Sequence, residues 1–458
     1  MALLKTISGF RGTIGGFAGE NLTPIDIINC TAAYGHWLKQ RNSKPTVIVG
    51  RDGRISGPLV SSLAIQTLLS IGIDVIDAGL STTPSVEMGV KYTNSDGGII
   101  FTASHNPKQW NALKFLNHEG EFISKEAGQY ILSKEAEGNI EFAQVDQIGQ
   151  YKTIDNLIDL HIASILDLDI IKTDIIAAKN FTIVVDCINS TGAISIPPLL
   201  DKLNCKYILI NEDINGDFAH NPEPLPSHLT DLSKAVIEHK ADLGIAVDPD
   251  VDRLAFMCED GSFFGEEYTL VAAADFVLSK TPGNTVSNLS STRALADVTS
   301  NYNQSYQASA VGEVNVVSTM KASSAVIGGE GNGGVIYPKL HYGRDALVGI
   351  VFMLQLMAER AKTATELRRE YPDYEIRKHK IELTKDLDVD NLLSKLKEKY
   401  STERINTIDG LKIDMTDGWV HLRKSNTEPI LRVYSESHSA EEADRLANMI
   451  IKDVELLK

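Results

Sequence analysis

The sequence is poor in cysteine, in basic relative to acidic residues, and in long apolar runs. Its 458 residues include 4 cysteines, none in a C-x-x-C pair, which argues against a zinc knuckle, a redox motif of that kind and a disulfide scaffold. Lys and Arg number 44 against 61 Asp and Glu, a net charge of −17, so no nucleic-acid or anionic-membrane surface is expected. No apolar run is long enough for a membrane span or a signal peptide. These absences predict a soluble, cytoplasmic protein.

Short β-branched runs alternate with stretches of helical length along most of the chain. The runs at 46–49, 99–101 and 243–247 are apolar and lead into polar turns, as strands buried on both faces do. The stretches at 59–71 and 229–240 have helical spacing. This alternation predicts layered α/β domains.

The C-terminal part has a different pattern. A strand at Lys378 is followed by a predicted helix over 389–399, alternating runs at 419–422 and 431–434, and a final helix from Ser439. This order is typical of an α+β domain with an antiparallel sheet. Boundaries near residues 153, 255 and 372 give four predicted domains: 1–153, 154–255, 256–372 and 373–458.

The first segment with possible chemistry is T-A-S-H-N-P at 102–107, directly after a predicted strand. Ligands of open α/β sheets bind at the carboxyl ends of strands, so Ser104 is a candidate nucleophile. The alternative is a helix N-cap at Ser104, with His105 and Asn106 in the turn. The segment taken alone favours this structural alternative.

The second segment carries three carboxylates at alternate positions, Asp248, Asp250 and Asp252. In an extended loop they project to one side, where a Mg²⁺ ion would relieve their repulsion. An EF-hand is rejected because Arg253 occupies the position that needs glycine and because both flanks are predicted strands. A solvated acidic turn is the less favoured alternative.

The third segment is G-E-G-N-G-G at 329–334, which formally matches a dinucleotide-binding pattern. Pro338 would interrupt the helix that should receive the pyrophosphate, and no acidic residue follows at the required distance. Glu330 and Asn332 instead suit sugar hydroxyls. A plain turn is equally favoured.

The fourth segment is R-K-S-N-T-E-P at 423–429, with Arg432 beyond it. An arginine beside hydroxyl and amide donors in a tight turn suits a phosphate group. Taken alone, such a loop is more often a surface turn.

In this order, the four segments resemble those of the α-D-phosphohexomutase family, over essentially the whole chain. The resemblance implies four domains around a central cleft: three related α/β domains with mixed sheets and a smaller C-terminal α+β domain. It implies that Ser104 carries a phosphoserine and completes a Mg²⁺ site formed by the three aspartates. The residues implied to bind substrate are Glu330 and Asn332 for the sugar, and Arg423, Ser425, Asn426, Thr427 and Arg432 for the non-reacting phosphate.

Two other segments extend the resemblance. S-G-F-R-G at 8–12 implies that Arg11 approaches the transferring phosphate, and N-A-L-K at 111–114 makes Lys114 a candidate proton shuttle. His105 is a further catalytic candidate, and Arg253 is expected near the site. Gly334 departs from phosphoglucomutase/phosphomannomutase members, which have a candidate acid/base histidine there. The G-E-G-N-G-G form resembles that of archaeal-type phosphoglucosamine mutases.

The expected enzyme is therefore an isomerase of carbohydrate metabolism, an intramolecular phosphotransferase acting on a small sugar phosphate. It would move phosphate between the 6- and 1-positions through a hexose 1,6-bisphosphate, which also serves as primer. Glucosamine 6-phosphate is the favoured substrate, with glucose or mannose phosphates as the alternative. A nicotinamide oxidoreductase, a metal-dependent phosphatase and a non-catalytic sugar-phosphate sensor are more distant alternatives. A monomer and a homodimer are both open.

Overall fold

The computed structural model describes residues 3–6, 9–383, 388–425 and 430–457. Within these ranges the strands form three mixed sheets followed by one antiparallel sheet, and helices pack against them. The predicted fold class is confirmed. Among the described residues, no helix is both long and apolar enough to cross a membrane.

The first sheet has the order β1-β2-β6-β5-β3-β4-β7. Its central strands β3 and β5 run parallel, and β5 pairs antiparallel with β6. Their apolar side chains are buried because helices cover both faces. The elements are β1 Leu3–Thr6, β2 Gly9–Thr13, α1 Pro24–Lys39, β3 Thr46–Arg51, α2 Gly57–Ser70, β4 Asp74–Leu80, α3 Thr83–Tyr92, β5 Gly97–Phe101, β6 Trp110–Leu116, α4 Lys125–Glu137 and β7 Tyr151–Thr153.

The second sheet has the order β11-β10-β8-β9, in which only the β10–β11 pair is antiparallel among the described strands. The boundary predicted at residue 255 falls inside β11, so this sheet extends to Cys258. The boundaries at 153 and 372 stay predictions. The elements are α5 Leu157–Leu166, α6 Thr173–Ala177, β8 Thr182–Asp186, α7 Gly192–Lys202, β9 Lys206–Ile210, α8 Thr230–His239, β10 Leu243–Val247 and β11 Leu254–Cys258.

The third sheet has the order β13-β12-β14-β15, with β14 and β15 antiparallel. Helices α9 and α12 are buried along most of their length, and one apolar core joins them to the second sheet. The second and third sheets are therefore held in a fixed relation. The elements are α9 Glu266–Lys280, β12 Thr285–Asn288, α10 Ala294–Asn301, β13 Tyr306–Ser309, α11 Glu313–Ser323, β14 Ile327–Glu330, β15 Gly334–Ile336, α12 Ala346–Arg360 and α13 Ala364–Arg368.

The fourth sheet is antiparallel, in the order β16-β20-β19-β18-β17. Alternate residues of its strands, such as Leu422 and Val433, pack with Leu446 and Ile450 in a separate small core. The predicted helix over 389–399 is confirmed at both ends. The elements are β16 Glu375–Glu382, α14 Val389–Lys399, β17 Arg404–Asn406, β18 Leu411–Met415, β19 Gly418–Lys424, β20 Ile430–Ser437 and α15 Ala440–Leu457.

Candidate active site

Ser104 lies in a tight turn between β5 and β6. Its φ of 49° is left-handed, and no helix begins there, so the N-cap alternative is wrong. The turn is fixed by Thr102, whose hydroxyl oxygen accepts a hydrogen bond from Ser104 N at 2.9 Å and donates to Asp52 Oδ2 at 2.6 Å. The sequence correctly predicts that this loop follows the carboxyl end of a strand, but it does not predict the left-handed conformation of Ser104.

Arg54 fixes the Ser104 turn, and no sequence pattern pointed to it. Its side chain is 1% exposed, and it donates to the carbonyl oxygens of Ser104, Asn106, Pro107 and Trp110. Its Nε donates to Asp52 Oδ2 at 3.0 Å. Five main-chain and carboxylate contacts hold the serine loop rigidly at this end of the sheet. The only available signal was the R-D-G-R turn after β3, which does not show which carbonyls an arginine reaches.

Asp248, Asp250 and Asp252, here called the aspartate cluster, lie in the connection between β10 and β11. This connection is a tight turn and not the predicted extended loop: Val251 has a φ of 61° and its N–H donates to Asp248 O at 3.0 Å. The three carboxylates are fully buried, and one oxygen of each lies within 4.8 Å of the others. The flanking strands confirm the rejection of an EF-hand.

The free oxygens of the aspartate cluster fit a divalent cation. Oδ1 of Asp250 and Oδ1 of Asp252 are buried and have no hydrogen-bond partner among the described residues. Burial, and then the neighbouring Asp252 and Asp250 carboxylates, raise the pKa of Asp248 well above its usual range. Because buried like charges repel and unpaired carboxylate oxygens are costly, a hard cation with oxygen preference suits this cluster.

Cationic side chains neutralise the remaining oxygens of the cluster. Lys114 Nζ lies 2.8 Å from Asp250 Oδ2, which also accepts from Thr83 Oγ1 at 2.6 Å. Arg344 Nη2 lies 2.7 Å from Asp252 Oδ2. Burial lowers the pKa of Lys114, but Asp250 and Asp252 raise it more, so this lysine is held as an ammonium.

Ser104 faces the aspartate cluster across the boundary between the first two sheets. Its Oγ donates to Asp248 Oδ2 at 2.5 Å and lies 3.4 Å from Nδ1 of His105. Burial lowers the pKa of His105 well below its usual range, and Arg253, Arg11 and Arg344 lower it further, so the imidazole is neutral.

Two of the predicted arginines lie beside Ser104. A pocket with about 690 Å³ of empty space is lined by Ser104, His105, Lys114, Arg11 and Arg253, among others. Arg11 Nη1 donates to Asn106 Oδ1 at 2.7 Å, which fixes its position next to the serine loop. A dianionic phosphoryl group at Ser104 would therefore be surrounded by fixed positive charge.

The glycine-rich segment 329–334 is a hairpin turn. Glu330 at the end of β14 pairs with Gly334 at the start of β15, so no helix follows the loop and the dinucleotide interpretation is wrong. Glu330 Oε1 accepts from Asn288 Nδ2 at 3.0 Å and from Gly312 N at 3.2 Å. Glu330 and Asn332 both face a cleft with about 1100 Å³ of empty space.

Gly334 is the position at which the sequence departs from the histidine-bearing members of the family it resembles. A Cβ atom at this position would collide with the side chain of Arg344. Arg344 forms ion pairs with Glu313 Oε2 at 2.8 Å, Glu330 Oε2 at 3.3 Å and Asp252. The absence of a side chain at Gly334 thus leaves room for Arg344. This arginine links the glycine-rich segment 329–334, here called the sugar loop, to the aspartate cluster. Sequence reasoning noted Gly334 but did not find Arg344.

All four sheets contribute to the cleft. The fourth sheet supplies Arg423 and Arg432, which are cross-strand partners on β19 and β20. Arg423 Nε donates to Asp409 Oδ2 at 2.8 Å. Ser425 is buried next to this edge, whereas Asn426 and Thr427 lie outside the described residues. The structure therefore brings the described candidates together around one cleft, with Ser104 and the aspartates at one side and the two arginines at another.

The whole chain is similar to known proteins in sequence and in structure. Models of the phosphoglucomutase/phosphomannomutase family match in series: alpha/beta/alpha domain I at residues 3–139, domain II at 159–261, domain III at 265–374 and the C-terminal domain at 376–453. A phosphoglucomutase/phosphomannomutase of Thermococcus kodakarensis is 34% identical, over 97% of this chain and 98% of its own length. A probable phosphoglucosamine mutase of Methanopyrus kandleri is 32% identical, over 97% and 96% of the two chains.

A crystal structure gives the same result. A phosphoglucomutase/phosphomannomutase family protein from Burkholderia thailandensis superposes with a TM-score of 0.85 at 25% identity, covering 98% of this chain and 96% of that one. Four family models in the expected order, full-length relatives and a matching fold agree with the geometry of the cleft. The chain therefore belongs to the phosphoglucomutase/phosphomannomutase family of phosphohexose mutases.

Proposed function

We propose that this enzyme transfers phosphate between the 6- and 1-positions of a hexose through a phosphoserine at Ser104. The observation that carries this proposal is the 2.5 Å contact of Ser104 Oγ with Asp248, one of three clustered and buried carboxylates, beside a pocket that Ser104 itself lines. A hydroxyl placed beside a cation site suits phosphoryl transfer, in which catalysis consists mainly of positioning and charge stabilisation.

The aspartate cluster is proposed to hold Mg²⁺ together with an oxygen of the Ser104 phosphate. When bound, Mg²⁺ stabilises the serine oxygen as leaving group and withdraws charge from the phosphoryl oxygens. Arg11, Lys114 and Arg253 line the same pocket and provide the charge that the equatorial oxygens need.

The proposed forward step breaks the bond between phosphorus and Ser104 Oγ and forms a bond to the 1-hydroxyl of a 6-phosphosugar. His105 is neutral and lies beside Ser104, so it can accept the proton that the sugar hydroxyl loses. Lys114 is the second candidate for moving a proton, and as an ammonium it can donate one to a leaving oxygen. The product of this step is a hexose 1,6-bisphosphate, and the reverse step at its 6-phosphate regenerates phosphoSer104.

Arg423 and Arg432 are proposed to bind the phosphate that is not reacting, with Ser425, Asn426 and Thr427 as further donors. The two guanidinium groups stand on neighbouring strands, facing the cleft. Two arginines on a rigid sheet give bidentate recognition of a phosphate without depending on the sugar attached to it. This suits a site that must accept the 6-phosphate in one half-reaction and the 1-phosphate in the other.

Glucosamine 6-phosphate is the proposed preferred substrate. Glu266 and Glu267 line the cleft, and burial raises the pKa of both carboxyl groups. Glu267 packs directly against Gly331 of the sugar loop and accepts a hydrogen bond from Thr292 N at 2.8 Å. A protonated amine on the sugar would compensate the cost of these half-buried carboxylates, which a hydroxyl does less well. The probable phosphoglucosamine mutase of M. kandleri is consistent with this choice.

Glucose and mannose phosphates are the second candidate. The 34% identical relative from T. kodakarensis carries the name phosphoglucomutase/phosphomannomutase, and Glu330 with Asn332 would bind the hydroxyls of any of these hexoses. The aspartate cluster, Ser104 and the arginine pair serve all three substrates equally. Only the carboxylates near Gly331 distinguish the amino sugar.

Steady-state kinetics with the Mg²⁺-loaded enzyme test both parts of the proposal. Glucosamine, glucose and mannose 6-phosphates are compared, each with a trace of the matching 1,6-bisphosphate as primer. The highest kcat/KM for glucosamine 6-phosphate is expected. A preference for glucose or mannose would contradict the substrate assignment while retaining the mechanism, and release of inorganic phosphate without isomerisation would contradict the mechanism.

A further inference from the structure

We propose that His161, His341 and Asp345 form a second metal site, for a transition metal of the Zn²⁺ type. His161 is on α5, Asp345 is the N-cap of α12, and His341 lies four residues before Asp345 in the preceding loop. Oδ2 of Asp345 is 2.9 Å from Nε2 of His161 and 3.3 Å from Nε2 of His341. The three donor atoms lie within 4.8 Å of one another. These residues, called the histidine cluster below, take no part in the cleft described above.

The separations suit a tetrahedral ion. Zinc binds histidine nitrogen and carboxylate oxygen at about 2.0–2.2 Å, which places neighbouring ligand atoms roughly 3.3 Å apart. The two measured nitrogen–oxygen distances are close to this value. All three side chains are almost completely inaccessible, at 0% for His161 and Asp345 and 5% for His341. Three protein ligands leave one position of a tetrahedral ion for a water molecule.

An oxygen lies near the other nitrogen of each histidine. Nδ1 of His161 is 3.0 Å from Oγ of Ser85, a contact in which the hydroxyl can donate or accept. Nδ1 of His341 is 3.3 Å from Oε2 of Glu87, within ion-pair distance but without a hydrogen bond among the described residues. When Nε2 of a histidine binds a metal, its Nδ1–H donates to a neighbouring oxygen, and these two oxygens are placed to accept.

The carboxylates give an independent indication. Glu87 is 1% exposed, yet neither of its oxygens makes a hydrogen bond of good geometry within the described residues. Oδ1 of Asp345 accepts from the N–H groups of Leu347 and Val348, so only Oδ2 is directed at the two histidines. Burial lowers the pKa of His341, but the Asp345 and Glu87 carboxylates raise it more, to about 9. A divalent cation bound here would take the place of the proton that balances these carboxylates.

The donor atoms separate this site from the aspartate cluster. Two imidazole nitrogens and one carboxylate suit zinc, whereas a cluster of oxygens alone suits Mg²⁺. The histidine cluster also lies next to residues that contact the aspartate cluster. Thr83, two residues before Ser85, donates to Asp250, and Arg344, next to Asp345, forms an ion pair with Asp252. A metal in the histidine cluster would therefore fix the residues that hold the aspartate cluster in place.

Metal analysis of the full-length protein tests the proposal without any measurement of activity. The protein is treated with a chelator, incubated with Zn²⁺ in excess Mg²⁺, desalted, and assayed for zinc by mass spectrometry. We expect about one zinc per chain in the wild type, a loss of most of it in His161→Gln and His341→Gln, and full retention in His220→Gln. His220 is a matched control because it pairs with Asp186 at 2.8 Å but has no second histidine.

Cobalt substitution and one further variant complete the test. Co²⁺ in the wild type should give the intense visible absorption of a four-coordinate ion, and the two histidine variants should lack it while keeping native circular dichroism. Asp250→Asn should retain its zinc. The proposal is overturned if the wild type keeps no zinc, or if zinc is lost from Asp250→Asn and kept by both histidine variants.

Discussion

The Ser104 hydroxyl and the Asp248 carboxylate are 144 residues apart in sequence, but their oxygens are 2.5 Å apart. The contact joins the turn after β5 of the first sheet to the turn after β10 of the second. It holds only if the two sheets keep their relative position, because both residues lie at the carboxyl ends of buried strands. The proposed phosphate carrier and the proposed cation site are therefore assembled by tertiary structure and not within one motif.

The first prediction concerns Ser104. Ser104→Ala should lower kcat by roughly a thousand-fold or more, because the carrier of the phosphoryl group is removed. Intact mass spectrometry of the primed protein should show the added phosphate in the wild type and not in the variant. Ser62→Ala, at an exposed position of α2, is the matched control. A phosphorylated Ser104→Ala protein with near-normal turnover would exclude the carrier assignment.

The second prediction concerns the metal. Asp250→Asn should raise the Mg²⁺ concentration needed for half-maximal activity by at least roughly 10-fold, the lower end of what changes near metal ligands cause. Titration of activity with Mg²⁺ measures this directly. Asp260→Asn, in the exposed turn that follows β11, should titrate like the wild type. An unchanged Mg²⁺ requirement in Asp250→Asn would argue against the aspartate cluster.

The third prediction concerns the arginine pair on the fourth sheet. Arg423→Ala should raise KM roughly 10- to 100-fold, since a charge-assisted hydrogen bond contributes about 1.5–3 kcal/mol. Initial rates over a range of sugar 6-phosphate concentrations give the value. Arg445→Ala, exposed on α15, removes the same charge from the same sheet-and-helix unit without entering the cleft. A fall in kcat alone would place the phosphate elsewhere.

The fourth prediction concerns substrate choice. Glu267→Gln should reduce the ratio of kcat/KM for glucosamine 6-phosphate to that for glucose 6-phosphate by roughly tenfold, because one ionic contact with the amine is lost. Glu238→Gln, exposed on α8, should leave the ratio unchanged. If both substrates are slowed equally in Glu267→Gln, this residue supports the sugar loop and does not select the amine.

The fifth prediction concerns stability at alkaline pH. Lys412 Nζ is buried, donates to Leu289 O at 2.8 Å and lies 4.1 Å from the centre of the Trp419 ring. Burial lowers the pKa of Lys412 to about 8, below its value of 10.5 in the unfolded chain. Between these values the unfolded chain binds more protons, so this lysine makes stability rise with pH.

Lys412→Met should remove that contribution. We therefore consider the melting temperature of the variant minus that of the wild type, measured by differential scanning fluorimetry. This difference should be higher at pH 7.5 than at pH 9.5. Loss of the hydrogen bond to Leu289 shifts the variant equally at every pH and does not affect the comparison. Lys452→Met, which removes an exposed lysine of α15, is the control. Parallel pH curves for Lys412→Met and the wild type would contradict the prediction.

Sequence patterns were most informative where function depends on neighbouring residues. The serine turn, the aspartate turn and the G-E-G-N-G-G hairpin are contiguous segments that end buried strands, so their positions and side chains could be predicted. The backbone conformations of these turns could not be predicted. The alternate spacing of the aspartates suggests an extended loop, but their carboxylates converge because Val251 adopts a left-handed conformation. The apolar residues of a strand show where the following turn begins, but they do not determine the dihedral angles of that turn.

Residues that act through contacts distant in sequence were not found from the sequence. Arg54, Arg344 and Glu267 stand in ordinary-looking contexts, and their roles arise from contacts 50 or more residues away in the case of Arg54 and 92 in the case of Arg344. A single sequence contains no signal for such pairings. The same holds for the histidine cluster, in which His161 lies 184 residues from Asp345 and the spacing matches no local metal-binding pattern.

The hydrogen bonds from Arg54 to the serine loop determine whether Ser104 or the sugar bisphosphate moves during a catalytic cycle. Because Arg54 binds the carbonyl oxygens around Ser104, the proposed mechanism keeps the carrier stationary and requires the bisphosphate to turn end over end within the cleft. Each cycle is then a competition between that rotation and escape of the bisphosphate into solution. Each escape leaves Ser104 unphosphorylated until another bisphosphate phosphorylates it. The number of turnovers per priming event therefore measures how well the cleft retains the bisphosphate while it turns.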